Sequence, residues 1–274
     1  MLPPVAAAAI TCAALAAAWW SNRNVRGWLP DDPPRPGRKQ HRRPIPLAGI
    51  VLVPAVMPWF WAEAAWWLLG GLGLAAIVGY LDDREKERGR DFDWRIKALG
   101  LGLAAAAGAC AVVDPFDAPG TWLLVLAFVF VLTNATNFLD NTDGVAASLS
   151  AASLLVLSQG HGAAAAAGFA ALGFLPWNWP RPILFLGDAG AYALGFVTGV
   201  TAATSARVDP SALWATAVQL GDFVQVVTAR LALGHPPWVG DRRHLTHIVH
   251  NLGLPRVAIA PAFTALVLAL ALLA

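Results

Sequence analysis

Gly120-Thr121-Trp122-Leu123-Leu124-Val125-Leu126-Ala127-Phe128-Val129-Phe130-Val131-Leu132-Thr133-Asn134-Ala135-Thr136-Asn137-Phe138-Leu139-Asp140 opens as a near-continuous apolar stretch and closes on two amides and a carboxylate. Spanning a bilayer takes roughly 20 apolar residues, with a range of about 17–25, and residues 120–138 meet that length. Stretches of the same kind occur at 3–20, 46–61, 64–81, 96–113, 145–158, 162–176, 189–205, 210–233 and 255–274. None alternates with period two, as lipid-facing strands of a closed barrel must. The expectation is an all-α integral membrane protein of about ten transmembrane helices, forming one polytopic domain over residues 1–274.

Composition agrees. Of 274 residues, 57% are hydrophobic and 13% charged, against roughly 25% charged in a typical soluble domain. If the ten runs alternate in direction, the connections at 21–45, 82–95, 139–144, 177–188 and 234–254 share one side. Counting the helix-end residues Arg95, Lys97, Arg230 and Arg256 with them, that side holds 18 of the 19 Lys and Arg residues, leaving Arg207 opposite. The positive-inside rule makes it cytoplasmic and puts both termini outside. The amino terminus lacks a positive n-region and reads as a permanent span rather than a cleaved signal. Cys12 and Cys110 both lie in apolar runs, which leaves no basis for a disulfide framework or a cysteine zinc site.

The polar residues cluster. The first inner loop carries seven cations from Arg23 to Arg43, including Lys39, with His41 among them; most orient the chain and bind headgroups, and Lys39, His41 and Arg43 also suit an anionic substrate. Asp82-Asp83 ends a long apolar helix, where adjacent like charges call for a cation. Lys97 enters the next helix, where it either returns to that pair or snorkels. Asn134, Asn137 and Asp140, spaced by three, share one helical face and are followed by Asp143-Gly144. Phe185-Leu186-Gly187-Asp188-Ala189-Gly190 brings a carboxylate and flexible backbone to a helix N-terminus, a place suited to phosphate. The last inner loop holds His244, His247 and His250, open to zinc or to phosphate. Carboxylates and amides are hard oxygen ligands for Mg²⁺ or Mn²⁺, and Arg, Lys and His neutralise phosphate. Together they imply a diphosphate or nucleotide arriving from the cytoplasm and a partner already in the membrane.

Taken in order, Arg38-Lys39-x-His41, Asp82-Asp83, Asn134-x-x-Asn137-x-x-Asp140-x-x-Asp143-Gly144, Phe185-x-Gly187-Asp188-x-Gly190 and the final histidine loop resemble the polyprenyl-phosphate N-acetylhexosamine-1-phosphate transferases of glycosyltransferase family 4. The resemblance runs from Asp32 to Leu254. It implies an enzyme of the bacterial plasma membrane, with cytoplasmic catalytic loops, in which undecaprenyl or another polyprenyl phosphate attacks the β-phosphorus of a UDP-amino sugar and releases UMP. At matching positions it implies that Asn137 and Asp188 hold Mg²⁺, that Phe185 stacks on uracil, and that Asp143 and Asn178 complete the nucleoside pocket. By the same resemblance His244 and His247 contact phosphate or sugar, Lys97 binds the diphosphate, Asn134 and Asp140 bind substrate, and Asp82 and Asp83 are catalytic. A homodimer is expected because relatives form them; no nucleic-acid partner is expected.

A phosphate monoester with a second pKa near roughly 6 already carries a nucleophilic oxyanion at pH 7, which favours single displacement over a covalent aspartyl intermediate. Three positions depart from the family pattern: Thr246 stands at the middle histidine of His-x-His-His, Ile50 follows Gly49 where Gly-Gly is common, and Leu101 replaces a frequent glutamine. Because the muramoyl-pentapeptide branch carries a denser histidine cluster, a UDP-GlcNAc-type substrate is favoured over that branch. An ion-coupled transporter would place its polar residues at mid-depth and often repeat one half of the chain in the other, and a purely structural scaffold would leave the conjunction of Asp82, Asn137, Asp188 and His244 unexplained.

Overall fold

The computed structural model describes residues 2–24, 27–34, 43–237 and 242–273. Every apolar run contains a helix: α1 Ala6–Asn24, α2 Leu52–Ala62, α3 Trp66–Glu87, α4 Trp94–Val112, α5 Pro119–Leu139, α6 Val145–Leu157, α7 Gly162–Asn178, α8 Gly187–Ala206, α9 Ala217–Ala232 and α11 Arg256–Leu273. The run at 210–233 is not one helix, because Pro210 opens a 3₁₀ segment, Pro210–Thr216, before α9 begins. A short helix in the histidine loop, α10 Leu245–Asn251, and a two-residue antiparallel pair, β1 Asp31–Asp32 with β2 Ile45–Pro46, were not anticipated.

Among the described residues three helices are by themselves long and apolar enough to cross a membrane: Trp94–Val112, Pro119–Leu139 and Arg256–Leu273. They bury only 28%, 39% and 22% of their apolar windows inside the protein, so Leu99, Leu103, Leu123 and Leu124 point outward. Outward faces of that extent suit hydrocarbon rather than water. The remaining helices are shorter, or mix their apolar residues with small and polar ones.

At the centre lies α8, buried from Gly187 through Val200 and packed on α3 and α5. Its small residues permit the approach. A Cβ added at Gly195 would lie 2.8 Å from Thr133 Cα of α5, so only glycine lets the two backbones meet there. Its threonines return their hydroxyls to their own helix, Thr198 to Leu194 O at 2.8 Å and Thr201 to Val197 O at 2.8 Å, and so cost nothing in unpaired polarity. Outside this trio, α1 and α6 pack on α7, and α11 packs on α6. A smaller apolar cluster of Leu139, Val145, Leu149, Val218, Ile259 and Phe263 joins α5, α6, α9 and α11 beneath the histidine loop.

Candidate functional site

The site grows from the first turn of α8. Gly187 takes φ +66°, a left-handed conformation that turns the chain into the helix. The amide groups that follow are unpaired by the helix itself, and carboxylates from two other helices take them. Asp83 accepts from Asp188 N at 3.0 Å through Oδ1 and from Ala189 N at 3.1 Å through Oδ2, while Asp140, just past the end of α5, accepts from Gly187 N. The helix N-terminus that sequence pattern alone offers to phosphate is thus occupied by two of the chain's own acids.

That capping depends on Gly79. A Cβ there would lie 2.4 Å from the Asp188 carbonyl carbon and 2.5 Å from Ala189 N, so α3 crosses the start of α8 at backbone contact. One turn later Asp82 and Asp83 both project inward, 1% and 2% exposed. On the other side of the same turn, a Cβ at Gly49 would lie 2.5 Å from Gly190 Cα. Gly49, whose neighbour Ile50 stands where the family commonly has a second glycine, makes this close approach.

Around Asp188 the charges alternate. Asn137 Nδ2 donates to Asp188 Oδ1 at 3.0 Å, and Lys86 Nζ donates to Asp188 Oδ2 at 2.8 Å and lies 3.0 Å from Asp82 Oδ2. Lys97 pairs with the same Asp82 oxygen and stands 3.7 Å from Asp188 Oδ2. Four helices, α3, α4, α5 and α8, therefore bring Asp82, Asp83, Lys86, Lys97, Asn137 and Asp188 into one cluster in which two ammonium groups offset the buried carboxylates. Lys86 was missed from sequence; its signal is the spacing Asp82-Asp83-x-x-Lys86, one helical turn. Arg84, also missed, faces away and donates through Nη2 to Gly27 O at 2.7 Å and Trp28 O at 2.6 Å, which ties the turn after α1 to the end of α3.

The other expected site residues divide by what they touch. Asn178, 2% exposed, spends its amide on backbone: Oδ1 accepts from Gly144 N at 2.8 Å and Nδ2 donates to Leu184 O at 3.2 Å. It pins the Asp143-Gly144 turn to the strand-like stretch before α8. Phe185, half-buried, belongs to that stretch, its N–H donating to Pro46 O at 2.9 Å and its carbonyl accepting from Ala48 N at 2.8 Å. Asn134 donates to Phe130 O of its own helix at 2.8 Å, one turn deeper than Asn137. Lys39 and His41 lie outside the described residues.

His244 and His247 sit beside the end of α5. The His244 ring meets Phe138 edge-on, with centroids 5.4 Å apart, and lies 6.2 Å from the His247 ring. Burial, together with His244, Arg256 and Arg242, holds the His247 imidazole below its ordinary pKa. Thr246, the residue at the departing position, is fully buried and donates to Asn141 Oδ1 at 2.5 Å, fastening α10 to the turn after Asp140. Asp222, within an apolar run and passed over in sequence, is fully buried against His244 at 2.8 Å. An acid inside an apolar helix was itself the available signal.

An apolar helical chain with carboxylates, ammonium groups and imidazoles collected at one end of its central helices has the equipment to bind phosphate at a membrane boundary. Residues 65–206 match the family model described as glycosyl transferase family 4. A Streptomyces coelicolor protein whose name places it among glycosyltransferases is 32% identical over 246 residues, covering 79% of this chain and 57% of that protein. The undecaprenyl-phosphate alpha-N-acetylglucosaminyl 1-phosphate transferase of Yersinia pestis is 30% identical over 277 residues, covering 86% of this chain and 73% of the relative. The decaprenyl-phosphate N-acetylglucosaminephosphotransferase of Mycolicibacterium smegmatis is 29% identical over 234 residues, covering 66% and 55%. The chain thus spans a little over half the length of the first and third of these relatives and about three quarters of the second. It belongs to glycosyl transferase family 4.

Proposed function

We propose that this protein transfers N-acetylhexosamine-1-phosphate from a UDP-amino sugar to polyprenyl phosphate at the cytoplasmic face of a bacterial plasma membrane. The lipid phosphate oxygen bonds to the sugar-bearing β-phosphorus of the donor, the bond from that phosphorus to the bridging oxygen breaks, and UMP leaves with the bonding pair. The observation that carries this reading is the convergence of Asp82, Lys86, Lys97, Asn137 and Asp188 on the first turn of α8, within the segment that matches the family.

Lys86 and Lys97 supply the positive charge that binds and orients a diphosphate, each already bonded to a carboxylate that fixes its position. Asp82, between them, positions the lipid phosphate. Asp83 and Asp140 hold the start of α8 so that Asp188 keeps its place. Phe185 offers its ring to uracil, the turn at Asp143 completes the nucleoside pocket, and His244 and His247 reach phosphate or sugar. A homodimer is carried over from the family resemblance alone.

Among the described residues no three His, Cys, Asp or Glu side chains are gathered so as to hold a metal. One carboxylate and one neighbouring amide, Asp188 and Asn137, still fit Mg²⁺ or Mn²⁺, since Mg²⁺ commonly takes one or two protein ligands and fills its shell with water and substrate phosphate. Bound there, the ion would neutralise charge on the phosphoryl oxygens.

Purified protein supplied with Mg²⁺, undecaprenyl phosphate and a panel of radiolabelled UDP-sugars should form UMP and lipid-linked sugar with a UDP-HexNAc, and Asp188→Ala should lose the activity. If no UDP-sugar reacts across a range of lipid lengths, the transferase reading fails. Stoichiometric UMP release without lipid acceptor would instead show a covalent two-step mechanism.

A further inference from the structure

The buried face of α9 repeats every four residues, Val218, Asp222, Val226 and Arg230, and places one carboxylate under the histidine loop. Asp222 Oδ1 accepts from Leu245 N, the first amide of α10, at 2.6 Å, and Oδ2 lies 2.8 Å from His244 Nδ1. An ionised carboxylate only accepts, so Nδ1 is the protonated ring nitrogen and Nε2 is the one left for any further contact. The ring is held from a second side by Phe138, whose own ring carries the Arg230 guanidinium 4.9 Å from its centroid. Phe138 directly follows Asn137. The His244 ring is thus fixed in orientation by Asp222 and in place by the residue beside the phosphate cluster.

We infer that Asp222 is the positioning residue for His244, holding it in the Nδ1–H tautomer so that Nε2 is the nitrogen presented to substrate phosphate. The inference rests on the reading of His244 as a phosphate contact. A cap alone would need only the Leu245 bond. The second bond, through the other oxygen, sets the chemistry of the ring, because the group on Nδ1 decides what Nε2 can do.

Asp222→Asn separates the two roles. The asparagine oxygen keeps the bond from Leu245 N, while its amide group faces Nδ1 as a donor and drives the proton to Nε2. With the full chain labelled in its histidine nitrogens, in detergent at about pH 8 where imidazole is neutral, and with the His244 signal identified by its loss in His244→Gln, ¹⁵N NMR reads the tautomer directly. The parent should show Nδ1–H and bare Nε2, and Asp222→Asn the reverse. Its unfolding temperature and KM for the UDP-sugar should stay near the parent values, while kcat falls about tenfold or more, the usual cost of losing a partner that orients a functional histidine. An Nε2–H tautomer in the parent, or an unchanged kcat in Asp222→Asn, overturns the inference. If Asp222→Asn does not fold, the parent tautomer still decides. A parent that turns over no UDP-sugar defeats the transferase reading instead, and leaves the NMR result to judge Asp222 on its own.

Discussion

Replacing Asp83 tests whether its first duty is to hold α8 or to react. Both carboxylate oxygens accept backbone amides of the first turn of α8, at 3.0 and 3.1 Å, in a site where Asp83 is 2% exposed. Hydrogen bonds to a charged group contribute about 1.5–3 kcal/mol each, and part of that is returned when the repulsion from the neighbouring carboxylates Asp82 and Asp188 is relieved, so Asp83→Ala should cost about 3 kcal/mol. Asp83→Asn keeps an acceptor for one amide and turns a donor toward the other, for a loss of about half as much. At about 2–4 °C per kcal/mol for a chain of this size, the alanine variant should unfold roughly 6–12 °C below the parent and the asparagine variant between them. Thermal unfolding in detergent, followed by size-exclusion fluorescence, gives this ordering without reference to activity. A carboxylate kept only as a nucleophile would be relieved of repulsion by either change. An Asp83→Ala unfolding temperature at or above that of the parent would therefore refute the capping account.

Gly79→Ala should be more damaging than its size suggests, because the added carbon would lie 2.4 Å from the Asp188 backbone; overpacking costs about 1–3 kcal/mol, and the separation of α3 from α8 should abolish UMP release even where folded protein is recovered. Asn178→Ala leaves a buried amide at Gly144 and a buried carbonyl at Leu184 without partners; a loss of about 2–4 kcal/mol is expected, read as lower unfolding temperature together with raised KM for the UDP-sugar. For His247, burial and neighbouring cations lower the folded pKa beneath the ordinary imidazole value of 6.5, so the unfolded chain takes the proton first as pH falls. This group's contribution is complete above pH 6.5, is lost progressively through the lower folded pKa, and should vanish from the acid limb of an unfolding-temperature profile in His247→Asn.

The apolar runs could be read directly, since a helix that meets hydrocarbon must be apolar over its whole length and polar groups gather at its ends. The same logic exposed Asp82, Asn137 and Asp188: polar groups at the ends of apolar helices stand out against their background. It failed where a polar residue was isolated, as with Asp222 in the run at 210–233, or where a cation looked like one more loop charge, as with Lys86. Thr246 could be read as a departure at the middle histidine of the family pattern, but its bond to Asn141, which fastens α10 to the turn after Asp140, could not.

Sequence by itself therefore determined that the chain is helical and apolar, which family it joins, and which residue types gather at the loop ends. Tertiary structure decided what each does there. Whether a carboxylate caps a helix, as Asp83 and Asp140 do, or balances a lysine, as Asp82 and Asp188 do, depends on which backbone amides and ammonium groups lie within about 3 Å. Those distances are set by how closely α3 and α5 approach α8 at Gly79 and Gly195. Helix contact across such positions is a property of two surfaces at once, and no single stretch of chain encodes it.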